Sequence, residues 1–213
     1  MGSSREVAEV LLEIKAVGFK PDEPITFKSG IKSPVYVDNR ILPFHPEKWL
    51  IVLDGLAGLI ESNGIDFDVV AGIESAGIPH SAALGYKLRK PSVFVRKTEK
   101  DHGTKKMVEG GDVNGKRVLL IEDHVSTGGS SLKGVESLRQ AGAVVTACLA
   151  ITSYEFAQAT EAFQSAGVDL LTVTRFSAIL EVVKEKDLLD EEKIEIVQDW
   201  LDDPHGWAEK YGF

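Results

Sequence analysis

Cysteine is nearly absent from this sequence, with a single residue in 213, and its scarcity limits the available chemistry. One cysteine cannot form a disulfide within the chain, so the composition favours a reducing compartment such as the cytoplasm. Cys148 lies in the apolar run "AVVTACLAI", with no histidine near it in sequence. We therefore interpret it as a buried structural thiol and not as a nucleophile.

Long hydrophobic runs and a secretion signal are also missing. No apolar stretch approaches the ~20 residues of a membrane-spanning helix, and the opening "MGSSREVAEVLLEIKAVGF" lacks the basic flank and cleavage site of a signal peptide. Positive charge is scarce, because 24 basic residues face 33 acidic ones and give a formal net charge of -9. We expect a soluble protein without general attraction to nucleic acid or membranes.

Short apolar runs alternate with amphipathic stretches along most of the chain. A first helix ending near Gly18 is predicted by apolar residues at helical spacing, namely Val7, Val10, Leu11, Ile14 and Val17. A second helix is predicted over residues 46–62. Beyond it, the pattern predicts strands at 68–73, 92–97, 117–123, 143–151 and 169–174, and helices at 80–88, 130–142 and 155–167.

This order of elements is typical of βαβ units, so we expect an α/β fold with a mainly parallel central sheet and helices on both faces. The length and the lack of a long linker predict one domain over residues 1–213. Ligands of such sheets bind beyond the carboxyl ends of the strands. The expected binding region is therefore formed by the loops at 73–79, 97–112, 122–130 and 152–155.

The segment "VLLIEDHVSTGGSS", residues 118–131, carries the strongest local signal. Its glycines allow a tight turn that brings backbone N–H groups close to a ligand, and its hydroxyls add donors at a helix N-terminus. Residues 126–130 therefore predict a phosphate-binding cradle. A serine-capped helix after a glycine turn is the alternative interpretation.

Two acids, Glu122 and Asp123, directly precede the cradle and follow the apolar run "VLLI". Paired carboxylates would repel a phosphate unless something between them donates hydrogen bonds or carries positive charge. Sugar hydroxyls, a Mg²⁺ ion or a developing carbocation would meet this need. The acids and the cradle together predict a phosphorylated sugar as the ligand.

The run "GGDVNGK" at 110–116 raises an alternative, because it matches the spacing of a nucleotide-binding P-loop. However, Arg117 stands where that motif needs serine or threonine, and the run precedes its strand instead of following it. We interpret it as a turn that leads into the strand.

A long polar loop, "FVRKTEKDHGTKKMVEGG" at 94–111, concentrates positive charge in an otherwise acidic chain. Because it has few apolar residues, we expect a flexible loop over 97–112 that closes over phosphates. A solvated run of charges is the alternative. The basic residues of this stretch are Arg96, Lys97, Lys100, His102, Lys105 and Lys106.

A β-prone segment near the start, "ITFKSGIKSPVYVD", predicts a small hairpin with Lys28 in its turn region and Tyr36 close by. By itself, a lysine in a turn is usually exposed to solvent. The stretch "GIESAGIP" at 72–79 predicts a strand-to-helix turn that opens on the same edge of the sheet as the cradle.

Three of these stretches resemble one known family. The acid pair followed by Ser-Thr-Gly-Gly-Ser resembles the signature with which type I phosphoribosyltransferases bind 5-phosphoribosyl 1-pyrophosphate (PRPP). The stretches "FKSGIKSPVYVD" and "VRKTEKDHGTKK" resemble the hood and the catalytic loop of the orotate phosphoribosyltransferases. The resemblance covers about residues 5–183 and implies the type I phosphoribosyltransferase fold, with a small N-terminal hood formed largely by residues 20–42.

The resemblance also implies an enzyme that transfers a ribose 5-phosphate group. In the family, orotate N1 displaces pyrophosphate at C1 of PRPP with inversion, giving orotidine 5′-monophosphate for pyrimidine (UMP) synthesis. Mg²⁺ accompanies PRPP and pyrophosphate and is not bound directly by the protein. The resemblance further implies a cytoplasmic homodimer in which Lys100 reaches into the neighbouring subunit's site.

By family analogy, the acids hold the ribose hydroxyls, the cradle binds the 5′-phosphate and the basic loop neutralises the pyrophosphate. The implied catalytic residues are Lys100, His102, Glu122 and Asp123. The implied PRPP-binding residues are Arg96, Lys97, Lys100, His102, Glu122, Asp123, His124, Val125, Ser126, Thr127, Gly128, Gly129 and Ser130. The implied orotate-binding residues are Lys28, Tyr36, Val37 and Ser126.

Three positions depart from the family pattern. Some members hold the orotate carboxylate with an arginine at the position of Tyr154, and some have a lysine at the position of Ala76. His124 stands where the family usually has an apolar residue. We expect His124 to be packed and hydrogen-bonded and not catalytic.

Two rival functions would share the cradle. A phosphoribosyltransferase for a purine or uracil would lack the orotate-type hood and loop. A regulator that only senses PRPP would carry a DNA-binding domain or a basic RNA-binding face, which neither the short first helix nor the net charge of -9 favours. The acidic tail, residues 190–213, predicts an amphipathic helix packed on the domain.

Overall fold

The computed structural model describes residues 3–27, 29–98 and 106–213. Its helices are α1 Ser4–Glu13, α2 Pro46–Ser62, α3 Gly77–Leu88, α4 Gly129–Gln140, α5 Ala157–Ser165, α6 Phe176–Glu185, α7 Glu191–Asp202 and α8 Trp207–Lys210. Its strands are β1 Val17–Phe19, β2 Ile25–Thr26, β3 Lys32–Ser33, β4 Val35–Val37, β5 Val69–Ile73, β6 Ser92–Val95, β7 Val108–Glu109, β8 Val118–Val125, β9 Ala147–Ser153 and β10 Asp169–Thr172. A 3-10 helix, Asn39–Phe44, lies between β4 and α2.

Six strands form the central sheet, in the order β10-β9-β8-β5-β6-β7. All neighbouring pairs are parallel except β6 and β7, which are antiparallel. Parallel neighbours need a crossover connection, and α3, α4 and α5 supply the crossovers after β5, β8 and β9. The predicted mainly parallel sheet is confirmed.

Side chains of the central strands alternate between two hydrophobic cores, one on each face of the sheet. In β8, Val118 and Leu120 pack in one core, whereas Leu119 and Ile121 pack in the other. The first core includes residues of α4 and α5, and the second includes residues of α1, α2, α6 and α7. Helices therefore cover both faces as predicted, which explains why these strands are apolar on both sides.

The hood is built from short antiparallel pairs in the N-terminal region. β2 and β3 form a hairpin in which Thr26 pairs with Lys32, and β4 pairs with β1. The hairpin predicted here is confirmed. Trp200 of α7 donates a hydrogen bond from Nε1 to the Lys32 carbonyl at 2.8 Å, so the C-terminal region helps to hold the hairpin.

The first helix is shorter than predicted. α1 ends at Glu13, and Lys15 then adopts a left-handed backbone with φ 59°. Val17, which the spacing assigned to the helix, lies in β1 opposite Val37. This prediction was wrong because a buried valine fits the helical spacing and the start of a strand equally well.

β8 runs to Val125, beyond the predicted end at Asp123, so His124 and Val125 also belong to the strand. Pairing with β9 continues as far as Val125 and Ser153. β9 itself begins at Ala147, later than the predicted residue 143. The two strands therefore carry their pairing up to the edge where ligands bind.

The acidic C-terminal region forms two helices, α7 and α8, where the sequence predicts one. Pro204 lies between them. Trp200 and Trp207 are fully buried, and Trp207 donates from Nε1 to the Ile196 carbonyl at 2.9 Å. The region is packed on the rest of the protein, as predicted.

Cys148 is buried in β9, and burial raises the pKa of its thiol, as expected for a structural residue. Within the described ranges, no helix has both the length and the apolar character needed to cross a membrane.

Candidate active site

A cavity of about 880 Å³ opens at the carboxyl end of the central sheet. The segments that follow β5 and β6 line it, together with the end of β8 and the start of α4. Phe27, Ser29 and Arg40 of the hood line it as well. Three of the four predicted loops thus meet at one cavity, whereas 152–155 supplies none of its described lining residues.

Glu122 and Asp123 both line this cavity. Glu122 is only 4% exposed, and its carboxylate accepts hydrogen bonds from the Ser131 hydroxyl at 3.1 Å and from the Asp123 backbone N–H at 3.2 Å. Burial raises the pKa of Glu122 well above its usual range, and the charge of Asp123 adds to the rise. Burial raises the pKa of Asp123 too. Such a pair is typical of a site where a ligand supplies hydrogen-bond donors or positive charge.

The predicted phosphate cradle leads from β8 into α4. Gly128 has a φ of +80°, which glycine adopts readily, and a Cβ there would lie 3.0 Å from the ring of Phe163. Ser126, Thr127 and Ser130 line the cavity. The first turn of α4 has no side-chain cap, so the serine-capped alternative is wrong and the backbone N–H groups remain available. An uncapped helix N-terminus in a cavity suits an anion.

Two glycines allow the turn after β5 to approach the acid pair closely. A Cβ at Gly77 would lie 2.6 Å from the carbonyl oxygen of Ile121, and a Cβ at Gly72 would lie 2.6 Å from that of Gly77. Close packing here leaves no space for a larger residue. The turn includes a cis peptide bond between Glu74 and Ser75. The predicted strand-to-helix turn is confirmed.

Basic residues border the cavity where β6 ends. Lys97 lines it, and the Lys97 backbone N–H donates to the Glu74 carboxylate at 2.8 Å. Arg96 lines it too, with its guanidinium 3.6 Å from the Glu109 carboxylate. Because β7 pairs with β6 here, the described end of the predicted loop 97–112 includes a strand.

Part of the predicted site lies outside the described residues. This applies to Lys28 of the hood and to Lys100, His102 and Lys105 of the basic loop. Their roles in substrate binding and catalysis stay predictions.

Tyr36 and Val37, the predicted orotate contacts of the hood, are not among the described residues that line the cavity, whereas Arg40, which sequence reasoning missed, lines it. Tyr36 is 38% exposed, whereas Val37 is buried. The Tyr36 hydroxyl accepts a hydrogen bond from Arg40 Nη2 at 2.6 Å, and Arg40 lines the cavity. Arg40 lies in the 3-10 helix directly after β4, and no motif in the sequence marked that helix.

The chain is similar to several known proteins. The family model "Phosphoribosyl transferase domain" matches residues 45–169. The orotate phosphoribosyltransferase of Listeria monocytogenes is 41% identical over 98% of this chain and 100% of its own. That of Staphylococcus saprophyticus is 42% identical over 93% of this chain and 98% of its own. The crystal structure of orotate phosphoribosyltransferase from Aeropyrum pernix has a TM-score of 0.74 and 31% identity, covering 84% of this chain and 98% of that one.

The chain belongs to the orotate phosphoribosyltransferase family. Its fold is that of the type I phosphoribosyltransferases, as the resemblance implied. The P-loop alternative is wrong, because residues 110–116 lie between β7 and β8, ahead of their strand, and do not border the acid pair.

Tyr154 occupies the position where some members of the family have an arginine. It is 3% exposed, and its ring packs against those of Phe27, His124 and Trp200 at centroid distances of 5.8, 4.2 and 4.8 Å. Burial raises the pKa of its hydroxyl, so the side chain is neutral. Tyr154 belongs to an aromatic cluster that supports the hood, and it cannot replace a cation.

His124, the other departure from the family, is packed and hydrogen-bonded as predicted. Its Nδ1 lies 2.8 Å from the Thr152 hydroxyl, which accepts a hydrogen bond from the Asn39 side-chain amide at 2.9 Å. Asn39 also donates to the Asp123 carbonyl at 2.7 Å, so this network fixes the backbone at the acid pair. Burial lowers the pKa of His124 to about 3, so the ring is neutral at physiological pH. Val125, the next residue, is buried, and it is not among the described residues that line the cavity.

The acid pair is the part of the site that bears on Mg²⁺, the metal that the family resemblance implies. Among residues 3–27, 29–98 and 106–213, no cluster of three or more histidine, cysteine or acidic side chains could hold a metal ion. The acid pair supplies two carboxyl groups. This fits an ion that keeps most of its ligands from substrate phosphates and water, which is the usual mode of Mg²⁺.

Proposed function

We propose that this protein is an orotate phosphoribosyltransferase that converts PRPP and orotate to orotidine 5′-monophosphate and pyrophosphate in UMP synthesis. N1 of orotate forms a bond to C1 of the ribose while the C1–O bond to pyrophosphate breaks. The observation that carries this proposal is the meeting of a buried acid pair and an uncapped helix N-terminus in one cavity. Membership of the family supports orotate as the base.

The acid pair acts on the ribose. Glu122 and Asp123 accept hydrogen bonds from the ribose hydroxyls, which relieves the repulsion between the two carboxyl groups. As the C1–O bond breaks, positive charge grows on the ribose and the same carboxylates face it. Groups aimed at charge that appears only in the transition state contribute about 2.7–4 kcal/mol each. Ser131 and Asn39 hold this pair in position before substrate arrives.

The remaining lining residues bind the other parts of the substrates. Residues 126–130 bind the 5′-phosphate through backbone N–H groups and hydroxyls, and Ser126 also meets orotate. Arg96 and Lys97, together with Lys100 and His102, neutralise the pyrophosphate. The orotate ring contacts Lys28, Tyr36 and Val37.

In this proposal Mg²⁺ would be carried by PRPP, and when bound it would offset part of the charge on the leaving pyrophosphate. We also propose a cytoplasmic homodimer in which Lys100 of one subunit reaches the site of the other. The resemblance of the basic loop to the family's catalytic loop supports the shared lysine, and the single buried thiol suits a reducing compartment.

A spectrophotometric assay tests the proposed reaction. The protein, Mg²⁺ and PRPP are mixed with orotate, and separately with uracil and with purine bases, while ultraviolet absorbance is followed. We expect loss of orotate absorbance alone. Turnover of a different base would assign another phosphoribosyltransferase, and no turnover of any base would favour a PRPP sensor.

Asp123→Asn tests the role of the acid pair. Removing a charge that faces the transition state should lower kcat by about 10²–10³. Folding should not suffer, because burial already opposes the charge of Asp123. Asp169→Asn, on the exposed start of β10, is the matched control and should retain wild-type kcat. Near-normal turnover by Asp123→Asn would contradict the assigned role.

A further inference from the structure

The carboxylate of orotate needs a positive partner, and the strand-end arginine that some relatives use is replaced here by the buried Tyr154. The basic residues among the described lining residues are Arg40, Arg96, Lys97 and Lys133. Arg96 and Lys97 follow β6 and belong to the pyrophosphate side, whereas Lys133 is in α4 beside the phosphate cradle. Of these four, only Arg40 belongs to the hood.

The guanidinium of Arg40 is held in a defined orientation by Asp38. Nε donates to Asp38 Oδ1 at 2.6 Å and Nη2 donates to Oδ2 at 2.9 Å, the two-point pairing that suits a planar guanidinium. Nη2 also donates to the Tyr36 hydroxyl at 2.6 Å. No hydrogen bond within the described part of the chain uses Nη1. The side chain is 56% exposed, so a ligand in the cavity can reach this free edge.

Tyr36 supplies a second unused donor beside the first. Its hydroxyl oxygen accepts a hydrogen bond from Arg40, so its own proton is directed elsewhere, and the described residues offer that proton no acceptor. The Arg40 Nη1–H and the Tyr36 O–H are therefore neighbouring donors on the hood. A carboxylate has two oxygens that can accept from such a pair.

Arg40 also lies within electrostatic reach of the acid pair. Its positive charge lowers the pKa of Asp123, acting against the larger effect of burial. In orotate the carboxylate is attached to the ring carbon beside N1, the atom that bonds to the ribose. An anion held by Arg40 near Asp123 therefore brings N1 close to the ribose.

We propose that Arg40, assisted by the Tyr36 hydroxyl, binds the carboxylate of orotate and so determines the preference for orotate over uracil. This inference rests on the proposed function and identifies the group that replaces the absent strand-end arginine. Asp38 fixes the guanidinium before substrate arrives, which reduces the entropy lost on binding. Uracil has no carboxylate and leaves this pair of donors without a partner.

Steady-state kinetics of Arg40→Gln test the proposal. KM for orotate should rise about 10- to 100-fold, as expected for loss of a hydrogen bond between charged groups. The KM for PRPP should stay at its wild-type value. Arg40→Lys should restore KM only in part, because lysine keeps the charge but loses the planar fork. Arg5→Gln is the matched control, since Arg5 is also exposed and ion-paired, with Glu9 and Glu185, but lies in α1.

The outcomes separate this proposal from the proposed function. If wild-type protein converts orotate and Arg40→Gln keeps its KM for orotate, the role of Arg40 is overturned and the function stands. An equal rise in KM for PRPP would overturn it as well, because that result indicates a general structural role. If the wild-type protein does not convert orotate, both proposals fall. Should Arg40→Gln not fold, Tyr36→Phe provides the test, with a several-fold rise in KM for orotate alone.

Discussion

Gly77 illustrates how a single residue at this site is limited by space. It begins α3, and a Cβ there would lie 2.6 Å from the Ile121 carbonyl oxygen in β8. Ile121 directly precedes Glu122, so any displacement of this backbone is passed on to the acid pair. The backbone of Ile121 is paired within the sheet and cannot move away as a flexible side chain can. The absence of a side chain at Gly77 is therefore a condition for the position of the carboxylates.

We expect Gly77→Ala to lower both stability and activity. Overpacking against strand backbone should cost about 1–3 kcal/mol, and the displaced acid pair should lower kcat. Gly18→Ala is the matched control, because a Cβ at Gly18 meets nothing within 4 Å. Thermal denaturation and the orotate assay measure the two effects. Wild-type behaviour of Gly77→Ala in both would mean that this contact does not position β8.

The residues that could be predicted from sequence are those in contiguous motifs. Glu122, Asp123 and the cradle form one run along the chain, and the structure brings them to one cavity. Arg40 lacked such a signal, since an arginine after a strand is an ordinary surface residue. Its relation to the acid pair depends on packing between distant segments, which local sequence does not encode.

At the scale of elements, α7 supports the hood from the opposite end of the chain. Trp200 donates to the Lys32 carbonyl of β3, and its ring meets that of Phe27 at a centroid distance of 6.1 Å with the planes at 80°. Phe27 lines the cavity. The C-terminal helix therefore influences the shape of the base-binding side without contacting a substrate itself.

Trp200→Phe tests this support. The smaller ring loses the hydrogen bond to Lys32, so we expect lower thermal stability and a higher KM for orotate, with little change in KM for PRPP. Trp207→Phe is the matched control, because Trp207 is equally buried but donates to Ile196 within α7. Trp207→Phe should lower thermal stability without changing KM for orotate. Each lost hydrogen bond should cost about 0.5–1.5 kcal/mol of the free energy of unfolding. The same KM for orotate in both variants would argue against a role of α7 at the hood.

The existence of the elements followed from hydrophobic spacing, but their boundaries did not. The helix predicted at 46–62 is α2 at those bounds. The first helix was extended too far, because its end depends on a left-handed Lys15, and lysine gives no signal for that conformation. β8 was ended too early, at Asp123, because the pairing with β9 that extends it through His124 and Val125 is made with a distant segment and is not visible in the local sequence.

At the scale of the whole molecule, the acid pair makes folding depend on pH. The pKa of Glu122 is raised in the folded protein above its ordinary value of 4.5. The folded state therefore binds a proton on the Glu122 carboxyl group more tightly than the unfolded chain does. The resulting stability is fully present below the unfolded pKa and is lost as pH rises through the folded pKa. Asp123 contributes in the same direction.

Glu122→Gln should therefore stabilise the ligand-free protein while lowering its activity. Glutamine has no charge to bury, so the thermal midpoint at pH 8 should rise by a few degrees, about 1 kcal/mol being worth 2–4 °C at this size. The gain should shrink as pH is lowered to 5, because protonation of Glu122 removes the buried charge that glutamine also lacks. Glu161→Gln, on the exposed surface of α5, is the control for a lost surface charge. A midpoint that falls, or a gain that is the same at both pH values, would refute the proposed origin of the pH dependence.

The alternation of β8 between two cores has a consequence for how this site can change during evolution. Substitutions that preserve apolar character at Val118, Leu119, Leu120 or Ile121 leave each side chain in its own core. Insertion or deletion of one residue within this run would move every later side chain to the opposite face, including both acids. The site therefore tolerates amino-acid substitutions in this strand far better than insertions or deletions. We expect related proteins to keep the number of residues between Val118 and Glu122 constant.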